Sequence, residues 1–343
     1  MADERLCAMS VTFIKVKEDD EGQRLDRWIK KYVPDMPYVL AQKLMRKGQI
    51  RIDGKRVKAE TRLIAGQEVK IPPFDITENN YKPEKYKITE DDVAFMRDMV
   101  IYEDEDLIAL NKPYGLAVQG GTNTKRHIDG LLDVFKTKDD VTPRLVHRLD
   151  KDTSGILLLA RSAKAARELG FMFKDGNIRK CYWAIVTPTP EVPDGTIKAP
   201  IIKSGGDFEK MIIDEEDGKY AVTEYTVIES AGLAAAFVAF WPRTGRTHQI
   251  RVHAAQALGS SILGDRKYRA EKDEESKLID ADLDGMDLAN RLHLHAQRLT
   301  FEHPMKPGKM VDIRAPLAPD LVKSWKNLGF NHKMKADPFE MLD

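Results

Sequence analysis

The chain has 343 residues, of which 42% are hydrophobic and 8% aromatic, enough for two domains and a sizeable core. No apolar run approaches the length that spans a bilayer, and the opening Met-Ala-Asp-Glu-Arg has neither the basic cluster nor the apolar stretch of a secretion signal. Net charge is formally zero, but residues 1–73 carry 16 Lys and Arg against 11 Asp and Glu, a net of +5, which leaves the remainder at −5.

The asymmetry is sharpest over residues 24–62, with 12 basic groups against 4 acidic ones. Such a stretch is suited to a polyanion, because Lys and Arg release counterions when they neutralise phosphates. A solvated basic face explains the charge count equally well. Cys7 and Cys181 are the two cysteines and lie far apart. They fit reduced thiols better than a disulfide scaffold, so the expected compartment is the cytoplasm.

Residues 1–10 show no periodicity and read as a tail. Leu25, Trp28, Ile29 and Tyr32 fall on one helical face that Pro34 stops. A second helix turns Val39, Leu40, Leu44 and Met45 inward and Lys43, Arg46 and Lys47 outward, and Gly48 ends it. Residues 49–58 then alternate apolar and charged groups about Asp53-Gly54, a strong hairpin signal. A strand over residues 68–71 closes the unit before Pro72-Pro73.

Residues 74–98 are polar and read as a linker that gains a short helix. A strand, an acidic turn and a second strand ending at Lys112-Pro113 open the next unit. The glycine-rich segment from Gln119 lacks P-loop spacing. Residues 144–160, R-L-V-H-R-L-D-K-D-T-S-G-I-L-L-L-A, set a polar turn between two apolar runs that read as buried strands. A lone Asp in a loop more often caps a turn than does chemistry. Here the density of polar groups between core strands is costly without a use, and a positioned carboxylate at Asp150 can act as nucleophile or base.

A helix follows over residues 163–173, then a strand over 179–186 in which Lys180 and Tyr182 share a face. Residues 188–217 read as a surface excursion. Two strands, 221–228 and 235–242, are expected to pair antiparallel and to deliver residues 244–253, where Arg246, His248, Gln249, Arg251 and His253 crowd together. Residues 262–268 are expected to line the site, and residues 272–286 form a charged insertion. His293 and His295 alternate on one strand face without other ligands at metal spacing. A last helix covers 320–328.

His147-Arg-Leu-Asp150-x-x-Thr153-Ser154-Gly155 resembles the signature loop of the RluA family of pseudouridine synthases, and the Lys-x-Tyr strand and the His-Gln-Ile-Arg block resemble its other two marks. The layout is most similar to the RluC and RluD branch. The first unit resembles the small RNA-binding domain of the fourth small-subunit ribosomal protein, here the S-four domain. The resemblance implies an α+β chain: an αL-type RNA-binding domain over 11–73, the linker, and a catalytic domain over 99–328 on a mixed, mainly antiparallel sheet with flanking helices. Residues 329–343 then form a second tail.

The resemblance also implies a monomer that isomerises uridine to pseudouridine in RNA, large-subunit ribosomal RNA above all, with no cofactor and no metal. It makes Asp150 catalytic, Tyr182 the platform for the base, and Arg251 the cation that pairs with Asp150, a role exchangeable with Arg246. It implies RNA contacts at Lys43, Arg46, Lys47, Arg51, Lys55 and Arg56, and at Arg148, Arg246 and His248. The rival readings are a transfer RNA or other RNA target, a non-catalytic assembly factor, and a hydrolase using Ser154 with His147 or His248. No Gly-x-Ser-x-Gly elbow surrounds Ser154.

Overall fold

The computed structural model describes residues 10–74, 86–120, 124, 126–205, 210–269 and 285–340. The chain divides into two compact units, residues 1–85 and 86–343. The charged insertion expected at 272–286 and the middle of the glycine-rich segment lie largely outside the described residues, as does Cys7.

In the first unit, β1 (Thr12–Lys15), α1 (Leu25–Tyr32), α2 (Tyr38–Arg46), β2 (Arg51–Ile52), β3 (Lys55–Arg56) and β4 (Glu68–Ile71) follow in chain order. The antiparallel sheet runs β1-β4-β2-β3. Leu25, Trp28 and Ile29 of α1 meet Ala41, Leu44 and Met45 of α2 over Ile50, Ile52, Val69 and Ile71. Val39 was expected inside, but it is 75% exposed, because the buried stripe of α2 falls on Ala41, Leu44 and Met45. Asp53 and Gly54 both take positive φ, 47° and 75°, the two-residue turn whose twist suits a hairpin.

The second unit begins earlier than the expected residue 99. Helix α3 (Glu90–Asp98) is opened by a capping box between Thr89 and Asp92, and it buries Met96 in the core of this unit. Beyond it come β5 (Val100–Glu103), β6 (Leu107–Lys112), α4 (Ile128–Leu131), β7 (Arg144–Leu145), β8 (Ser154–Ala160), α5 (Ala163–Asp175), β9 (Arg179–Thr187), β10 (Asp194–Lys198), β11 (Ile201–Lys203), β12 (Met211–Ile213), β13 (Val222–Ala231), β14 (Ala235–Pro242), α6 (Gln249–Val252), β15 (Ser261–Ile262), β16 (Leu294–Glu302) and β17 (Met310–Arg314). A helix over Pro319–Asn327 follows.

The large sheet runs β10-β13-β14-β9-β16-β8-β6-β5, with β7 beside β8, β15 beside β9 and β17 beside β16. Its strands pair antiparallel except β16 with β8, which is parallel. Both faces of the sheet are covered. Ile108, Leu110, Leu157 and Leu159 face one cluster with Met96 and Phe135, while Leu107, Ala109, Ile156 and Leu158 face another with Ala165 and Leu169 of α5. That is why β8 and β14 read as unbroken apolar runs rather than alternating ones.

Two expectations about the periphery are corrected. Residues 188–217 are no mere surface excursion, since they supply β10 to the edge of the large sheet and the β11–β12 hairpin. Residues 329–340 are not a tail: Phe330 and Phe339 are buried, with ring centroids 6.2 Å from Phe237 and 5.8 Å from Trp241 respectively. Aromatic rings bury enough apolar area to anchor a segment that has no strand or helix of its own.

Candidate active site

A cleft of about 640 Å³ opens between the turn that precedes β8, strand β9 and the segment after β14. Asp150, Tyr182 and Arg251 all line it, together with Arg148, Arg246 and His248. Among the described residues, six of the lining side chains are Lys or Arg, namely Arg148, Lys174, Lys180, Arg243, Arg246 and Arg251, and Asp150 is the one lining carboxylate. The other predicted RNA contacts, Lys43, Arg46, Lys47, Arg51, Lys55 and Arg56, are exposed on the first unit. Arg51 also has a structural task there, donating to the carbonyls of Gly48 at 2.9 Å and Gly54 at 3.0 Å.

Asp150 sits on a tightly built turn. Its carbonyl accepts from the Thr153 N–H at 3.1 Å, and Gly155 next takes φ +107°, where a Cβ would overlap the backbone of Ala296. Only glycine allows β8 to lie that close to β16. Lys112 locks the turn from behind: it is fully buried, and its ammonium donates to the carbonyls of Pro113 at 2.9 Å, Leu116 at 3.0 Å and Lys151 at 3.1 Å. Burial pushes Lys112 down to about 7, against the pull of Asp152 and Asp150. Sequence reading assigned it no role, though a charged residue ending an apolar strand was a signal.

Tyr182 is half-buried and packs against clusters on either side of it in the sheet. Burial raises its phenol, and the Asp150 carboxylate adds to the effect. The tyrosine therefore stays neutral and offers a ring to the cleft.

The expected pairing of Arg251 with Asp150 is corrected. Arg251 grips Asp265 through two hydrogen bonds of 2.7 Å, the bidentate geometry for which a guanidinium is built. Burial works against this cation, but the Asp265 bonds and charge, with a smaller share from Asp150, keep it protonated. Arg246 does not take the role instead; it is exposed and donates to the Tyr220 carbonyl at 3.0 Å. Asp265 belongs to the phrase 262–268 that was expected to line the site, but nothing in the spacing named it as the partner.

His248 is the ring closest to Asp150 among the ion-pair contacts, with Nε2 3.8 Å from Oδ2. Its Nδ1 shares a 2.6 Å hydrogen bond with the Tyr268 hydroxyl. The residue sits in the left-handed region at φ 55°, a strain that persists where the surroundings over-determine it. They do: Gln249 accepts from Thr244 Oγ1 and the Arg246 N–H, and donates to the Val222 carbonyl and Thr223 Oγ1. Burial lowers the His248 pKa, Asp150 pulls it back, and Arg251 and Lys267 reinforce the lowering.

The hydrolase and metal alternatives lose their residues. Ser154 Oγ is buried, accepts from Arg291 at 2.7 Å and shares a 3.0 Å bond with His295 Nδ1, so it faces away from the cleft. His147 Nε2 accepts from the Leu158 N–H at 2.8 Å and its ring stacks on Phe173. His293 is held by the Leu263 carbonyl and Ser324, and His295 by the Ala315 carbonyl and Ser154. Among the described residues, Asp104, Asp106 and His303 could gather an ion. Asp104, however, already accepts from Tyr102 at 2.5 Å and from two backbone N–H groups.

The family model for RNA pseudouridylate synthase matches residues 106–256. The ribosomal large subunit pseudouridine synthase C of Pasteurella multocida is 35% identical over 324 residues, 94% of this chain and 95% of its own. The chain belongs to the RNA pseudouridylate synthase family. The proteins of the same name from Vibrio vulnificus and Escherichia coli K12 are 36% and 34% identical over 93% of this chain, and 96% and 97% of theirs. The solved human RNA pseudouridylate synthase domain containing 4 superposes with a TM-score of 0.56 at 29% identity, over 69% of this chain and 95% of its own. As a pseudouridine synthase the chain is an isomerase acting on RNA. Among the described residues no helix is long and apolar enough to cross a membrane.

Proposed function

We propose that this pseudouridine synthase converts uridines of large-subunit ribosomal RNA, as a cytoplasmic monomer, with the 640 Å³ cleft as its active site. The observation that carries the reading is Asp150, the one carboxylate among the described residues of a cleft that six cations line. A polyanion is drawn to such a wall, and one anionic group is left to react.

The uridine leaves its stack and enters the cleft, where the Tyr182 ring replaces part of the lost stacking. Asp150 acts as nucleophile or base while the bond from the ribose to N1 breaks and the bond to C5 forms. Arg251, fixed by Asp265, supplies a positive field beside the carboxylate without tying up its oxygens. His248 stays neutral at pH 7 and limits the free side of Asp150. The basic face of the first unit, with Lys43, Arg46, Lys47, Lys55 and Arg56 exposed, adds affinity for RNA in the manner of an S-four domain. The test is to map pseudouridines in ribosomal RNA with and without the gene: sites lost from the large subunit support the reading, and an unchanged map rejects it.

A further inference from the structure

Lys180 occupies the floor of the cleft, two residues from Tyr182 on the same face of β9. It is 9% exposed. No hydrogen bond or ion pair joins its ammonium to any described residue, although its backbone pairs with Leu299 in the sheet, whereas Lys112, another deeply buried lysine, spends all three protons on carbonyls. Its charged neighbours make the situation worse. Arg243 acts on it electrostatically as a like charge and, with burial as the larger cause, lowers it to about 8. Lys180 in turn depresses His147.

Arg243 lies across the same cleft, stacked 3.2 Å from the centre of the Trp241 ring and in contact with Glu224 at 3.4 Å. Two cations thus face one hollow, and the more buried of them has nothing to bind. A buried charge without a partner is costly, and the cost is tolerated where an anion arrives to offset it.

The cleft has two ends. Asp150 acts on Tyr182, His248, Arg251 and Tyr268, whereas Lys180 acts on His147 and responds to Arg243. Lys180 stands two residues along β9 from Tyr182, about 7 Å in an extended strand, a spacing that suits the separation of a nucleotide's backbone from its base. We propose that Lys180, with Arg243, forms a phosphate subsite that receives the phosphodiester flanking the target uridine. This inference rests on the proposed RNA substrate and adds to it the anchor by which the extruded nucleotide is held. The ammonium acts as a point charge able to follow a phosphate, while the guanidinium, braced on Trp241, gives the direction.

The test uses the full chain and an rRNA transcript carrying a uridine mapped as a target. Lys180→Met is expected to weaken binding and to reduce the slope of log affinity against log salt by about 1. The affinity lost between about 50 and 200 mM salt then shrinks about threefold relative to wild type. Lys180→Arg is expected to restore the slope. Replacing the phosphate on one side of the target uridine with a neutral methylphosphonate is expected to weaken wild type to the level of Lys180→Met and to leave that variant indifferent.

Thermal stability of Lys180→Met without RNA is expected to equal or exceed wild type, since an unpartnered charge is removed; a large fall would mark a structural role and overturn the subsite. A variant that loses turnover with KM and salt slope unchanged would place the ammonium on the base and also overturn it. If the wild-type protein binds the transcript but makes no pseudouridine, the proposed substrate fails while the salt and methylphosphonate comparisons still decide the subsite.

Discussion

Arg251 and Asp265 form a buried fork, two hydrogen bonds of 2.7 Å between side chains that are 6% and 0% exposed. Asp265 also accepts from the N–H groups of Lys267 and Tyr268, so the pair fixes both the helix start that bears Arg251 and the turn that carries Tyr268. Asp265→Asn strands a guanidinium inside the protein and is expected to cost about 3–5 kcal/mol. Urea unfolding measures it, and a loss below about 1 kcal/mol would show that the fork does not matter to the fold.

Asp150→Asn keeps size and removes charge. Turnover on ribosomal RNA is expected to vanish, while binding stays within a few fold of wild type because the six surrounding cations remain. Any pseudouridine formed by the purified variant would take Asp150 out of the chemistry.

The buried His293 and His295, and the half-buried His147 at the cleft, set an acid limit on stability. Burial lowers His147 to about 3, with Lys180 adding to it, and lowers His293 and His295 to about 4. Folded they stay neutral, while the unfolded chain takes up a proton at each as pH falls below about 6.5. Stability is therefore unaffected above that pH and is lost below it. Between about pH 6 and 5, before carboxylates contribute, each ring adds a slope approaching 1.4 kcal/mol per pH unit. His147→Gln is expected to reduce the slope by one such increment in urea unfolding; an unaltered slope would mean that this ring charges in the folded state.

Gly155→Ala tests the close approach behind the Asp150 turn. The added Cβ meets the Ala296 backbone, which cannot step aside, and the φ of +107° is itself unfavourable for any other residue. The variant is expected to be insoluble or to unfold several kcal/mol earlier than wild type. Gly176→Ala, with open space around its Cβ position, is expected to show only the smaller strain of a left-handed helix end.

Much of this was legible beforehand because it is written locally. The Asp53-Gly54 hairpin, the helix stop at Gly48 and the strand pair β13–β14 follow from turn chemistry and apolar runs. Asp150 and four of the six cleft cations, Arg148, Lys180, Arg246 and Arg251, sit in three blocks that the sequence itself marks out, whereas Lys174 and Arg243 fall outside them. What could not be read was pairing at a distance. The preference of Arg251 for Asp265, the three carbonyls around Lys112 and the isolation of Lys180 arise where separate strands converge. Phe330 and Phe339 looked like parts of a loose end, because a pair of aromatics without periodicity gives no hint of the core that receives them.

Three parts of the site rest on one piece of main chain. Gly155 leans on Ala296, Tyr182 is paired with the same Ala296 in the neighbouring strand, and Gly264, just before Asp265, leans on the carbonyl of Arg291. The stretch from 291 to 296 thus serves as a common datum from which the Asp150 turn, the Tyr182 ring and the support of Arg251 are all measured. A change in the backbone of this one segment would therefore displace all three together, whereas a change in a loop that does not touch it would leave their mutual spacing as it is.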